Sequence, residues 1–595
     1  MRKRLISTLA AVVSVAFLVT TIGCEKGEKG AVPSSAEKRL QQTTQTLPAD
    51  TSFAYVMSDL ANFRKSAKES KKTLSRLFPI EDALEEVKET EAGSKLFGDE
   101  GVKIFKKEFW KKSGIAPDSA FTLAMVDYNT VALTYVADKK KFEKDLLSDL
   151  ETDGDPSSEK IAGKDANVVK TKKGKVYWNY RGKLATVVFP EGDEAAQGDA
   201  ETPPTKATLE KLLKTKKKDS LFKSSGFTNF RNAAGEQASL LYAQLTPHLK
   251  RGILEGGDEE INKKLAKSVE ESLDGFGFVL ETEKNRIKGR MWVGLTETGK
   301  KNFEKLFKSP VKADWSKFAT EKTLVALRSA GNWKGMWDSL TSSMPEKEVK
   351  QMEQGLAMAK KSSGIDIEKD VLANLTGQAG ILVYGIGGKA TPELMGNPMA
   401  ALGKLEAMYM MKFGDADALG KVTEKVAGMS EEYFTLRNLQ PEGGDAVKSI
   451  QVLEITPPKR GMIGMMMGGM QGSDEAPVRF YVHEDTLALA TTSIPEKSIQ
   501  SLLTGEGEGS KSLADSSDLD LGAKFANSKD MSGLYVNFNR FRDIFGDMVS
   551  KLPMASLKNS VDTLEEGLLS QEGQENGVFV DVTIDLLPEG KGGEK

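Results

Sequence analysis

The stretch "LPADTSFAYVMSDLANFRKS" at residues 47–66 returns, in changed letters but the same order of features, as "FATEKTLVALRSAGNWKGMWDS" at residues 318–339. Each is an apolar run of strand length, a short polar break and a helix start. The correspondence then persists along the chain. "KKSGIAPDSAFTLAMVD" (111–127) answers to "KKSSGIDIEKDVLANLTGQAGILVY" (360–384), and "TVALTYVADKKKFEKDL" (130–146) to "LEAMYMMKFGDADALGKVTEKV" (405–426), the latter pair reading strand, acidic break, helix. "KVYWNYRGKLATVVF" (175–189) and "VRFYVHEDTLALATT" (478–492) alternate around tight polar turns, the pattern of hairpins. "SLLYAQL" (239–245) pairs with "SGLYVNF" (532–538), and "DGFGFVLETEKNRIKGRMWVGL" (274–295) with "EEGLLSQEGQENGVFVDVTIDL" (565–586), two long strands around a charged turn. Blocks kept in one order point to an internal duplication. The expected fold is α+β, with two tandem homologous copies, 47–310 and 318–590, joined near "SPVKADWSKFATE" (309–321). Each copy is expected to hold an antiparallel, hairpin-rich sheet and amphipathic helices.

Within these blocks, Leu47-Pro48-Ala49-Asp50-Thr51 precedes a strand, and Gly364-Ile365-Asp366 leads through Asp370-Val371-Leu372 to Leu375-Thr376-Gly377. In these short motifs the chain resembles a family of exported bacterial proteins known mainly as a domain of unknown function. The resemblance implies the fold over most of residues 47–590 and brings no catalytic residues with it.

The N-terminus reads as an address. "MRKR" precedes "LISTLAAVVSVAFLVTTIGC", a charged lead, an apolar run and small residues in the order of an export signal. "TIGC" resembles the lipobox of bacterial lipoproteins, with Gly23 before the cysteine that is acylated; Thr21 stands where that motif usually has leucine. Residues 1–23 are therefore expected to be a lipoprotein signal peptide, Cys24 the lipidated residue, and 24–46, polar and without apolar periodicity, a flexible tether. Cys24 is the only cysteine of 595 residues, so no intramolecular disulfide is possible. Glu25 follows it where an inner-membrane retention aspartate would sit, which favours the outer membrane over the inner, with a periplasmic or surface-facing body.

Composition and motifs narrow the chemistry further. Lys and Arg number 83 against 86 Asp and Glu; loss of Arg2, Lys3 and Arg4 with the signal peptide takes the net charge from −3 to near −6, which disfavours nucleic acid. The basic run "KLLKTKKKDS" (211–220) reads as a solvated helix face. Two histidines, His248 in a loop after Pro247 and His483 in a solvent-facing hairpin turn, leave no zinc site of the Cys/His kind and no Cys-His catalysis. "GIGGKA" (385–390) begins a dinucleotide fingerprint, but Pro392 and Pro398 interrupt the helix that should follow. "GEGEGSKS" (505–512) misses the phosphate-binding loop, since Ser510 separates Gly509 from Lys511. "DLETDGDPSSEK" (149–160) has Asp149, Glu151 and Asp153 at calcium-loop spacing, yet its twelfth position is Lys160. Ser157-x-x-Lys160 lacks the partners of a serine hydrolase.

One segment separates the two copies. "PPKRGMIGMMMGGMQGSDEAP" (457–477) stands where copy one has only Lys172-Lys173-Gly174, so the methionines form an expanded hairpin tip. Met462, Met465, Met466, Met467 and Met470 are candidate Cu(I) ligands; with Ile463 they are also a candidate contact surface for a partner. An inert loop is the third reading, because long surface insertions cost little. The chain reads as a non-catalytic, membrane-tethered envelope lipoprotein that binds an envelope protein or apolar ligand, with no cofactor. The alternatives are a carrier of a lipid or other apolar ligand in a groove between the copies, and an unrecognised hydrolase.

Overall fold

The computed structural model describes residues 33–64, 73, 76, 97–98, 101–102, 107–150, 152–190, 204–235, 239–244, 259–283, 285–307, 318–344, 346–387, 404–429, 434–439, 450–455, 478–491, 493–504, 511–528, 532–549, 562–574 and 577–588. The chain divides into two compact units, Met1–Lys300 with Gln574–Val580, and Lys301–Gly573 with Asp581–Lys595. Cys24, His248 and the methionine segment lie outside the described residues.

The first unit holds β1 (Phe53–Met57), β2 (Phe121–Val126), β3 (Asn129–Tyr135), β4 (Ser157–Ile161), β5 (Lys164–Thr171), β6 (Gly174–Arg181), β7 (Leu184–Phe189), β8 (Ser239–Ala243), β9 (Leu273–Glu283) and β10 (Arg286–Leu295). All pair antiparallel, in the order β4-β5-β6-β7-β3-β2-β1-β8-β9-β10. Tight turns set the registers: Asp127 and Tyr128, with φ of 48° and 63°, close β2 onto β3 as a two-residue turn whose twist suits a hairpin. Alternation along β2 sends Thr122, Ala124 and Val126 to an inner face and Phe121, Leu123 and Met125 to an outer one. Leu209 and Leu212 of the helix Pro204–Lys214 and Phe227 and Phe230 of the helix Ser225–Ala234 cover the inner face, over Val56, Val131, Val188 and Tyr242.

The second unit holds β11 (Val325–Ala330), β12 (Leu375–Ile386), β13 (Leu405–Phe413), β14 (Phe434–Leu439), β15 (Ile450–Ile455), β16 (Val478–His483), β17 (Thr486–Ala490), β18 (Ser532–Asn537) and β19 (Leu564–Gln574), before β20 (Gly577–Leu586). Its order is β14-β15-β16-β17-β13-β12-β11-β18-β19, again antiparallel throughout. Ile499 and Leu503 of the helix Glu496–Thr504 and Leu521 and Phe525 of the helix Asp520–Asn527 close its inner face over Leu382, Met408, Val452 and Tyr535. The fold is thus α+β, built on antiparallel sheets.

Both units anchor a helix start with a carboxylate and a tyrosine. In the second, the backbone amides of Leu521 and Gly522 and the hydroxyl of Tyr535 donate to Glu566 at 3.2, 3.1 and 2.9 Å. In the first, the Ser225 hydroxyl donates to Asp274 at 3.2 Å, and Tyr242 packs against Gly226. Glu566 is 2% exposed, and desolvation raises its carboxyl above the ordinary value of 4.5. A raised native pKa means the folded state holds the proton over a window where the unfolded state has lost it. Its contribution to stability is full below about 4.5 and is lost as pH rises through the native value. Wild type is therefore expected to gain stability relative to Glu566→Gln as the pH is lowered from 7 toward 4.5; denaturant melts at several pH values that leave the difference constant refute this.

Two expectations are corrected here. Residues 33–46 do not extend a tether: Pro33–Thr44 is a helix, and Leu40, at 7% exposure, joins the first unit's core. Arg39 pairs with Asp59 at 3.3 Å, and Tyr135 donates to Gln42. The helix buries threonines rather than an apolar stripe; Thr44 donates back to the carbonyl of Leu40 at 2.7 Å, which satisfies its hydroxyl inside. The folded part of the first unit thus begins before residue 47. His483 is also not solvent-facing. It is 6% exposed, the last residue of β16, paired with Thr486 across a turn of only Glu484 and Asp485. Alternation places it on the same face as buried Tyr481.

Candidate functional site

The inner faces of both sheets are sealed by helices; the outer faces differ. In the second unit, cross-strand pairing lines up Leu436, Leu453, Phe480, Leu489, Tyr409, Ile381, Leu327, Leu534 and Leu569, one residue from each of nine strands. At a strand spacing of about 4.8 Å the row is roughly 38 Å long. Leu327 and Leu569 in it are each 38% exposed. An apolar row of this length left partly in water is a recognition surface or an aggregation hazard, and folded chains do not usually retain it without use.

A groove of about 310 Å³ lies on this face. Leu327 and Ser329 come from β11, Ala379 and Ile381 from β12, and Tyr409 and Met411 from β13; Phe480, Leu487 and Leu489 complete the wall from β16 and β17. Register explains how residues so distant in sequence meet. Ser329 pairs with Ala379 and Leu327 with Ile381; Ala379 in turn pairs with Met411, and Ile381 with Tyr409. Of the side chains in this wall, only Ser329 and the tip of Tyr409 offer a polar atom, and none is charged. One end is shut by the helix Ala416–Ala427, whose Leu419 packs with Phe413, Val482 and Leu487. Asp415 caps that helix, accepting from the amide of Asp417 at 2.9 Å.

The first unit covers part of the corresponding row, from Trp178 to Tyr55, while Met291 at its far end is 40% exposed. Tyr55 there pairs with Leu123 and Leu241, as Leu327 pairs with Ile381 and Leu534. Tyr55 is 4% exposed and Trp178 1%. Over Trp178 lies the helix Lys139–Asp149, whose Glu143 accepts from the Trp178 indole at 3.3 Å and from the Tyr180 hydroxyl at 3.1 Å, with Phe142 edge-on to Tyr180. Burial and the neighbouring Glu143 carboxylate push the Tyr180 hydroxyl above its ordinary range. Trp110 of the helix Lys107–Lys112 packs edge-on against Phe121, ring centroids 5.6 Å apart.

Among the described residues, those singled out in the sequence do not assemble elsewhere into chemistry. Ser157 and Lys160 lie three apart on β4, so alternation puts them on opposite faces. Asp153 faces Lys170 at 3.5 Å, and the run at 211–220 places Lys211 between Asp50 and Asp127, each 2.8 Å away. Among the described residues no group of three or more His, Cys, Asp or Glu is placed to hold a metal, and no helix is long and apolar enough to cross a membrane. The groove itself escaped sequence reasoning, because Ser329 and Ala379 become neighbours only through strand register.

No protein-family model and no curated protein matches this chain. Among solved structures, crystal form III of TP0453 is similar over 43% of this chain and 80% of that one, at 11% identity and a TM-score of 0.23. Crystal form IV of TP0453 is similar over 42% and 79%, at 11% identity and a TM-score of 0.24. Likeness at these scores assigns neither fold nor function.

Proposed function

We propose that this chain is a lipid-anchored, non-catalytic binding protein of a bacterial envelope, made of two tandem copies of one α+β unit, in which the second copy takes an apolar ligand on the outer face of its sheet. The observation that carries the reading is the contrast between the two outer faces: in the first unit Trp110 lies on Phe121, Phe142 lies on Tyr180, and Tyr55 and Trp178 beside them are buried, whereas the second unit has a groove at the matching place. Duplication is supported by the common strand order and by matching contacts outside the strands. Leu221 donates to the carbonyl of Leu47, and Leu513 to that of Ala319, both at 2.8 Å; Gln244 donates to that of Ser52, and Asn537 to that of Leu324, both at 2.9 Å. Anchoring rests on the export signal that ends at Cys24, and outer-membrane residence on Glu25. Two or three acyl chains, at about 0.8 kcal/mol per buried methylene, hold such a protein firmly to a bilayer.

A neutral apolar fluorophore such as 1-aminoanthracene, titrated into the mature chain without its acyl groups, is expected to bind at one saturable site. Ile381→Glu places a carboxylate on the groove wall and is expected to weaken binding at least tenfold, because the charge must be desolvated for the site to fill. Fluorescence that never saturates, or that Ile381→Glu leaves unchanged, refutes the reading.

A further inference from the structure

Resting on the reading of this groove as the binding site, we infer that its ligand is a single unbranched aliphatic chain, admitted because Ser329 and Ala379 leave open the volume that Met57 and Phe121 fill in the first unit. The registers make the comparison position by position. Two residues beyond Tyr55, Met57 pairs with Phe121; two residues beyond Leu327, Ser329 pairs with Ala379. In the first unit this pair is a thioether and a phenyl ring, with Trp110 resting on the ring. In the second it is a hydroxymethyl and a methyl. Both units keep bulky apolar side chains in the adjoining row, Tyr55 and Leu123 in one, Leu327 and Ile381 in the other. The trough is therefore one row wide, flanked by a taller ridge.

What belongs in such a trough is set by its lining. The first unit fills the equivalent place with its own uncharged carbon and sulfur side chains, so the occupant of the second is an apolar group of similar bulk. Among the described residues no charged side chain lines the trough, which disfavours an ionic group inside it and leaves any polar head in water. At about 30 Å³ for a methylene, close to the volume share of a water, the 310 Å³ of the groove over both rows matches the volume of on the order of ten carbons. Met411, next to Ala379 in the same row, is unbranched and adapts to a chain whose conformation varies. A fused ring system would have to climb the Ile381–Tyr409 ridge, whereas a slender chain follows the row.

The test is displacement of the bound fluorophore from the mature chain by n-alkanols from hexanol to tetradecanol, with cyclododecanol as the bulky comparator. Affinity is expected to rise about fourfold per methylene and to level off near ten carbons. Dodecanol is expected to bind at least tenfold tighter than cyclododecanol. Ser329→Met and Ala379→Phe, which install what the first unit carries, should each weaken dodecanol at least tenfold while leaving the melting temperature unchanged or higher. Affinity independent of chain length, or unaltered in both variants while the fluorophore still binds, overturns the aliphatic-chain inference and leaves the binding-site reading standing. Failure of the fluorophore to bind at all removes both. Displacement of the fluorophore by raising the protein's own concentration would put a second copy in the trough, which also overturns the inference.

Discussion

Phe230→Ala is expected to lower the melting midpoint of the first unit by on the order of 10 °C, the result of losing about 3–5 kcal/mol from a domain of this size. The ring is fully buried and sits between two others, 6.2 Å from Tyr242 in a near-parallel stack and 5.8 Å from Trp292. It also lies directly on Gly277 of β9, where any side chain would overlap it. Glycine is present there because the helix Ser225–Ala234 must approach the sheet closely enough for this ring to touch backbone. Alanine at 230 leaves a cavity bounded by rigid aromatics and a strand, surroundings with little freedom to collapse. Calorimetry on the full chain is the check. A shift below about 3 °C would mean that the inner face is far less tightly packed than the burial of Phe227, Phe230 and Tyr242 implies.

Cys24→Ser is expected to abolish incorporation of labelled fatty acid and to move the protein from the membrane fraction to the soluble one. The effect should be close to complete, since the proposed anchor runs through a single sulfur and the chain has no other cysteine to substitute. Wild type and variant labelling alike, or wild type failing to label in a host competent for lipoprotein processing, would show that anchoring does not run through this residue.

Strands were legible in the sequence wherever alternation and turn chemistry agreed. "TVALTYVAD" gave β3 and the cap Asp138, which accepts from the amide of Lys141 at 3.1 Å and starts the helix Lys139–Asp149. "MYMMKFGD" gave β13 and the equivalent cap Asp415. The helix at Pro33–Thr44 was not legible, because its buried side chains include Thr43 and Thr44, whose hydroxyls turn back on the helix and leave no apolar period to read. His483 was misread because a two-residue turn was taken to include its neighbour; one position along a strand reverses the face. Ser329 and Ala379 look ordinary in isolation, an alcohol and a methyl in two apolar strands. Their meaning depends on a pairing 50 residues apart, and on a comparison with Met57 and Phe121 that only the ladders supply.

The central position of β1 has a kinetic consequence. Val56 pairs with Thr122 on one side and with Leu240 on the other, and Ala326 likewise pairs with Leu382 and with Tyr535. The first strand of each unit to leave the ribosome thus waits at the middle of its sheet for a partner made near the unit's end. Contacts of such long sequence separation fold slowly, because the loop must close before pairing rewards it. A chain emerging N-terminus first cannot complete either sheet until nearly all of that unit has been made, and it stays threadable for as long as that takes. Delay of this kind hinders a protein that must fold where it is synthesised, and it suits one that must first cross a membrane unfolded.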